Sequence, residues 1–88
     1  MKVIWKQALR LSEVDYHLPL NAKLIHVAMQ NLDVTVWFEC DSNNHLVRRK
    51  IAIYATGNRM PDEPGQHVGT VNDGDFVWHV YDHGEECM

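Results

Sequence analysis

Apolar and polar residues alternate with a period of two along most of this chain, the spacing of a half-buried β-strand. Residues 3–9, Val-Ile-Trp-Lys-Gln-Ala-Leu, mix β-branched and aromatic side chains with polar ones and predict a first strand with Ile4 or Trp5 facing inward. Ser12 and Asp15 stand three apart as in a capping box, but Pro19 follows too soon for a stable helix. A turn and a short strand from Val14 to Leu18 are expected instead. After the turn Pro19-Leu-Asn-Ala, the runs Lys23–Gln30 and Asp33–Cys40 are separated only by Asn31-Leu32, which predicts a β-hairpin. On its second arm Val34, Val36, Phe38 and Cys40 share the core face, while Thr35, Trp37 and Glu39 share the other.

Asp41-Ser-Asn-Asn-His45 is polar turn chemistry that ends this strand. From Leu46 to Ala55 the alternation is clearest: Val47, Arg49, Ile51, Ile53 and Ala55 face one way, and Arg48, Lys50, Ala52 and Tyr54 the other. Arg49 interrupts an otherwise apolar face. Beyond a Gly/Pro-punctuated connection, His67–Val71 reads as a short strand, Asn72-Asp-Gly-Asp75 as a tight turn with a strong Asp73-Gly74 signal, and Phe76–Asp82 as the last strand. The tail His83–Met88 is expected to fray. Six to seven short strands and no amphipathic helix predict an all-β fold, a small antiparallel sandwich or partly open barrel, in a single domain over residues 1–88.

An 88-residue chain buries only roughly 60% of the surface that its unfolded form exposes, so its core is marginal. Pairing of exposed sheet edges with another subunit would help, and a homo-oligomer is expected. The net charge of −4 argues against general nucleic-acid binding through a basic surface. Cys40 and Cys87 form no CxxC pair, which points to a reducing cytoplasm. No secretion-type apolar segment and no run long enough to span a bilayer stands out, so no membrane partner is expected.

Several pieces occur together: Ile4-Trp5-Lys6 at the start, the aliphatic strand into Tyr54-Ala-Thr-Gly57, then Pro61-Asp-Glu-Pro-Gly65, Gly69-Thr70, and Val77-Trp-His-Val80 near the end. In that combination the chain resembles a family of short proteins encoded mainly by bacteriophages and prophages, over nearly its whole length. The resemblance implies a compact β fold and a viral origin, and it brings no catalytic residues. By analogy with phage accessory proteins of this size, it also implies action against host defence. Such action would bind a host protein or sequester a nucleotide-like signal in an oligomer.

The connection between Tyr54 and Thr70 is longer than a plain hairpin needs, and such loops are often functional. Gly57 and Gly65 permit positive φ, so backbone N–H groups can converge on an anion with Thr56, Asn58 and Arg59 as side-chain donors. The alternative is a crossover between two sheets with Gly and Pro serving geometry alone. Arg49 needs a carboxylate, a carbonyl or a ligand phosphate. His67 and His79 are candidate ligand contacts, and His79 is read as a hydrogen-bonded strand residue before a general base.

His79 and His83 stand four apart, which suits metal binding on a helix and not on a strand; Glu85, Glu86 and Cys87 would form only a loose terminal chelator. Trp5, Trp37 and Trp78 would serve as a base-stacking platform or as core and interface. No recognisable nucleophile context occurs, so neither enzyme activity, cofactor nor metal is expected. The leading expectation is a nucleotide-like ligand held by Arg49, Thr56, Asn58, Arg59, His67 and His79. The second is an interaction subunit that binds a host or virion protein through a strand edge.

Overall fold

Alternating β-branched and aromatic residues draw the chain into seven strands in the computed structural model, which describes residues 1–86. These are β1 (Lys2–Ala8), β2 (Glu13–Pro19), β3 (Lys23–Gln30), β4 (Asp33–Asp41), β5 (Leu46–Ala55), β6 (Gln66–Asp73) and β7 (Phe76–Glu85). All pairings are antiparallel, in a three-stranded sheet ordered β1-β4-β3 and a four-stranded sheet ordered β2-β5-β7-β6. The result is an open sandwich and not a closed barrel. Among the described residues no helix is long and apolar enough to cross a membrane.

The predicted faces of β4 assemble the core. Val34, Val36, Phe38 and Cys40 are buried and meet Leu18, Ile51, Ile53 and Val80 of the other sheet. The outward Trp37 stays half-buried with its ring 5.6 Å from that of His26. The sheets close tightly where β3 meets β6: a Cβ on Gly69 would lie 3.2 Å from the Val27 side chain, so only glycine lets the strands come this near without displacing Val27. Two expected hairpins form. Asn31 and Leu32 both take positive φ between β3 and β4. Gly74, with φ 60°, opens the two-residue link between Asp73 and Phe76, the position where a tight hairpin most needs glycine.

Three sequence expectations change. Residues 83–85 do not fray but extend β7: Lys50 opposes Gly84, Arg49 opposes Glu85, and the Glu86 N–H donates to the Arg48 carbonyl at 2.9 Å. β5 is long enough to leave backbone groups at Arg48–Lys50 that the tail satisfies. Cys87 and Met88 lie outside the described residues. The connection after β5 is also not a crossover between sheets. β5 and β6 flank β7 and run parallel to each other, so the chain must return from the level of Trp78, opposite Ala55, to the level of Asp82, opposite Gln66. Residues 56–65 are long because they retrace part of a strand.

Gly65 ends that return against β7. Its φ is 85°, and a Cβ there would collide with the Asp82 carbonyl. The third change concerns β5, where the expected outer face is also covered from Ala52 to Tyr54. Ala52, paired with Tyr81 and two residues from Tyr54, is fully buried on the outside of the sheet.

Candidate functional site

Strand alternation sends Tyr54 of β5 and His79, Tyr81 and His83 of β7 to the outer face of the four-stranded sheet. In β6 a regular strand would put residues 67 and 70 on opposite faces. A bulge between His67 and Gly69 adds one residue, turns Val68 toward the core, and leaves His67 opposite Tyr81 and Thr70 opposite His79 on the same outer face.

The bulge creates a hydrogen-bonded row across the sheet. His67 Nε2 is 2.9 Å from Thr70 Oγ1, which is 3.0 Å from His79 Nδ1, and His79 Nε2 is 2.8 Å from Thr56 Oγ1. Beside it Tyr54 Oη lies 3.1 Å from His83 Nε2. The Tyr81 ring packs edge-on to Tyr54 at 5.8 Å and tilted to His67 at 5.2 Å. Burial pushes the Tyr54 hydroxyl pKa up, with smaller contributions from Glu13 and Tyr81, so it remains a neutral donor or acceptor.

Proton counting shows what the row can offer. Each neutral imidazole has one N–H and one bare nitrogen, and each hydroxyl has one proton. When His67 Nε2–H donates to Thr70, Thr70 to His79 Nδ1, and His79 Nε2–H to Thr56, the Thr56 hydroxyl proton is left over for a ligand. When the row runs the other way, Thr56 donates into it and His67 Nδ1–H is the spare donor. The Nδ1 of His79 faces a threonine hydroxyl and not the carboxylate that orients the histidine of a catalytic triad.

The row joins three of the expected residues: Thr56, His67 and His79. Thr56 and His67 bracket the 56–65 connection, so its two ends are tied through His79. Asn58 is turned to local structure, its Oδ1 accepting from the Ala55 N–H at 2.8 Å while its own N–H donates to the Ala55 carbonyl at 3.0 Å. Arg59 is exposed on the connection and makes no ion pair among the described residues.

Arg49 is on the opposite, inner face. Its Nε and Nη2 donate to Asp82 Oδ1 and Oδ2 at 3.0 and 2.6 Å, and Nη1 donates to the Ala22 carbonyl at 2.7 Å. Glu85 Oε2 lies 3.8 Å from Nη1, brought inward by the irregularity at Gly84, whose φ is 93° and whose N–H donates to Asp82 Oδ1. The Asp82 hydrogen bond raises the Arg49 pKa further, against the opposing effect of burial. Asp82 and Ala22 engage three of its N–H donors inside the sandwich, so Arg49 forms the structural ion pair that its inward position anticipated. It lies on the face opposite Thr70 and His79, although Arg49 and His67 both line a cleft where β3 approaches β6.

Thr70, Tyr54 and Tyr81 are not among the expected site residues, and His83 is weighed in the sequence only as a metal ligand beside His79. The Asp73-Gly74 hairpin carried a usable signal for Thr70, because a two-residue link between Asp73 and Phe76 sets Thr70 opposite His79. For the β6 bulge Gly69 inside the strand was a cue, but one that did not say which residues it would turn outward. Among the described residues no group of three or more His, Cys, Asp or Glu is arranged to hold a metal ion.

Fold and face together define a small two-sheet antiparallel β domain with a polar, aromatic-flanked row on one outer surface. Residues 1–87 match the family model described as Domain of unknown function (DUF7352), and the chain belongs to that family. No curated protein and no solved structure matches it.

Proposed function

We propose that this chain is a non-catalytic binding protein whose ligand site is the outer face of the four-stranded sheet, and that the ligand is nucleotide-like. The observation that carries this reading is the row His67–Thr70–His79–Thr56, with one spare donor, at Thr56 or at His67 according to the direction in which the row runs, and the rings of Tyr81 and Tyr54 alongside. Hydroxyl and imidazole donors suit phosphate oxygens, and the half-buried Tyr81 ring beside them suits a base. Arg59, on the connection that starts at Thr56, supplies a free cation for the phosphate. The motif resemblance to phage and prophage proteins supports a viral accessory role in which a host signal is held and not destroyed.

Binding is favoured over hydrolysis because His79 bridges two threonine hydroxyls with no carboxylate behind it. Isothermal titration against cyclic and linear nucleotides tests the reading. Micromolar binding that is lost in His79→Ala and weakened in Arg59→Ala, with nucleotide recovered unchanged, is the expected result. Absence of binding across the panel, or turnover of the nucleotide, overturns it.

A further inference from the structure

The sandwich has four edge strands, and three are blunted. β3 is interrupted by a bulge between Leu24 and His26, and β6 by the bulge between His67 and Gly69. β2 ends in Pro19, and the groups it turns outward belong to Glu13, Asp15, His17 and that proline. Bulges, prolines and like charges are the usual devices that stop an edge from pairing. β1 has neither bulge nor proline over its whole length from Lys2 to Ala8, and its charged side chains are Lys2 and Lys6, which a pairing partner must keep apart.

The register of β1 shows which of its groups are free. The Leu9 N–H donates to the Val34 carbonyl and the Ser42 N–H to the Met1 carbonyl, so odd-numbered residues bond to β4. The N–H and C=O groups of Lys2, Ile4, Lys6 and Ala8 therefore point away from the sheet. Side chains at the same edge are unusually apolar. Ile4 is 60% exposed, and Trp5, which by register faces the sandwich interior opposite Phe38, is still 43% exposed. A shallow groove runs between Ile4, Trp5, Lys6 and Trp37.

We propose that a second copy of this chain covers the edge, with β1 pairing antiparallel to β1 about a two-fold axis at Trp5. The two three-stranded sheets then become one continuous sheet. Three features select this occupant and this register. Antiparallel hydrogen bonding uses the free even-numbered groups in pairs, and only an axis at Trp5 pairs every residue from Lys2 to Ala8. That axis sets Ile4 opposite Lys6 and Lys2 opposite Ala8, so no lysine meets a lysine, whereas an axis at Ile4 would set Lys2 against Lys6. It also seats the partner's Ile4 beside Lys6, which itself lies opposite Trp37, filling the groove, and brings the two Trp5 side chains together on the exposed interior side. A two-fold pairing closes on itself and leaves only the edges β2, β3 and β6. This interface lies on the three-stranded sheet, and its argument does not depend on the ligand site of the other sheet.

Light scattering and native mass spectrometry at micromolar protein should give a particle of twice the 10.2 kDa chain. Ile4→Lys sets lysine opposite lysine twice per dimer and should weaken association by about tenfold or more. Ile4→Glu, facing Lys6, should retain the dimer. Trp5→Cys should cross-link on oxidation, and the exposed Leu32→Cys should not. A monomer at all concentrations, a dimer indifferent to Ile4→Lys, or cross-linking at Leu32 in place of Trp5 overturns the proposal. Should Ile4→Lys fail to fold, cross-linking through Trp5→Cys decides the matter alone.

Discussion

The Arg49 cluster, on the inner face of β5 and β7, and the His79 row, on the outer face of β7 and β6, belong to opposite faces of one sheet. On the inner face Arg49 meets Asp82 through two hydrogen bonds and Ala22 through a third, with both charged side chains only 10% exposed. On the outer face the imidazoles and hydroxyls satisfy each other in single file and stay open to solvent, leaving a donor over. A buried charge has to be saturated by its own chain, because water is not there to do it. An exposed polar row is under no such demand and can keep unused hydrogen-bonding capacity. The contrast separates a charge that holds the architecture from polar groups available to a ligand, although both were candidates of the same kind in the sequence.

The sharpest way to break this contrast is Arg49→Met. Leaving Asp82 buried without its partner should cost about 3–5 kcal/mol in urea unfolding, and adding Asp82→Leu should recover part of the loss. A single-variant loss below about 1 kcal/mol would make Arg49 a free ligand contact after all. Gly65→Ala comes next. With φ at 85° and the Asp82 carbonyl in the way, the change should cost about 2 kcal/mol or more and loosen the connection between β5 and β6.

On the outer face, Thr70→Val keeps the β-branched shape and removes the centre of the row. Unfolding should change by no more than about 0.5 kcal/mol, while nucleotide affinity falls about tenfold by titration calorimetry. A stability loss as large as that of Arg49→Met would place the row among the structural elements.

The smallest effect concerns Cys40, whose thiol pKa is raised above its ordinary 9.0 by burial and, secondarily, by Asp41. Its folded pKa lies above the unfolded one, so its contribution is fully present below the ordinary thiol value and is lost as pH rises through the raised folded value. Alkaline unfolding should therefore show a slight slope that Cys40→Ala removes, and the native thiol should resist alkylation at neutral pH.

Much of the fold was legible because strand alternation is a local property. Val34, Val36, Phe38 and Cys40 were assigned to the core from spacing alone, and all four are buried. The site was legible in part. Thr56, His67 and His79 were nominated separately, for a loop start, a strand start and a last strand, and it is the sheet that unites them. Arg49 was nominated for standing on an apolar face, and the same reason sends it inward to Asp82. The tail from His83 looked unanchored because its partners, Arg48 to Lys50, lie more than thirty residues away in the chain.

What the sequence determined by itself is the all-β class, the strand faces and the hairpins at Asn31-Leu32 and Gly74. Each follows from period-two alternation or from turn residues that act within a few positions. Tertiary structure decided the strand order β2-β5-β7-β6, the return path of residues 56–65, and the β6 bulge that puts His67 and Thr70 on one face. Those depend on which distant strands pair and where one extra residue is absorbed, and a local pattern does not encode either choice.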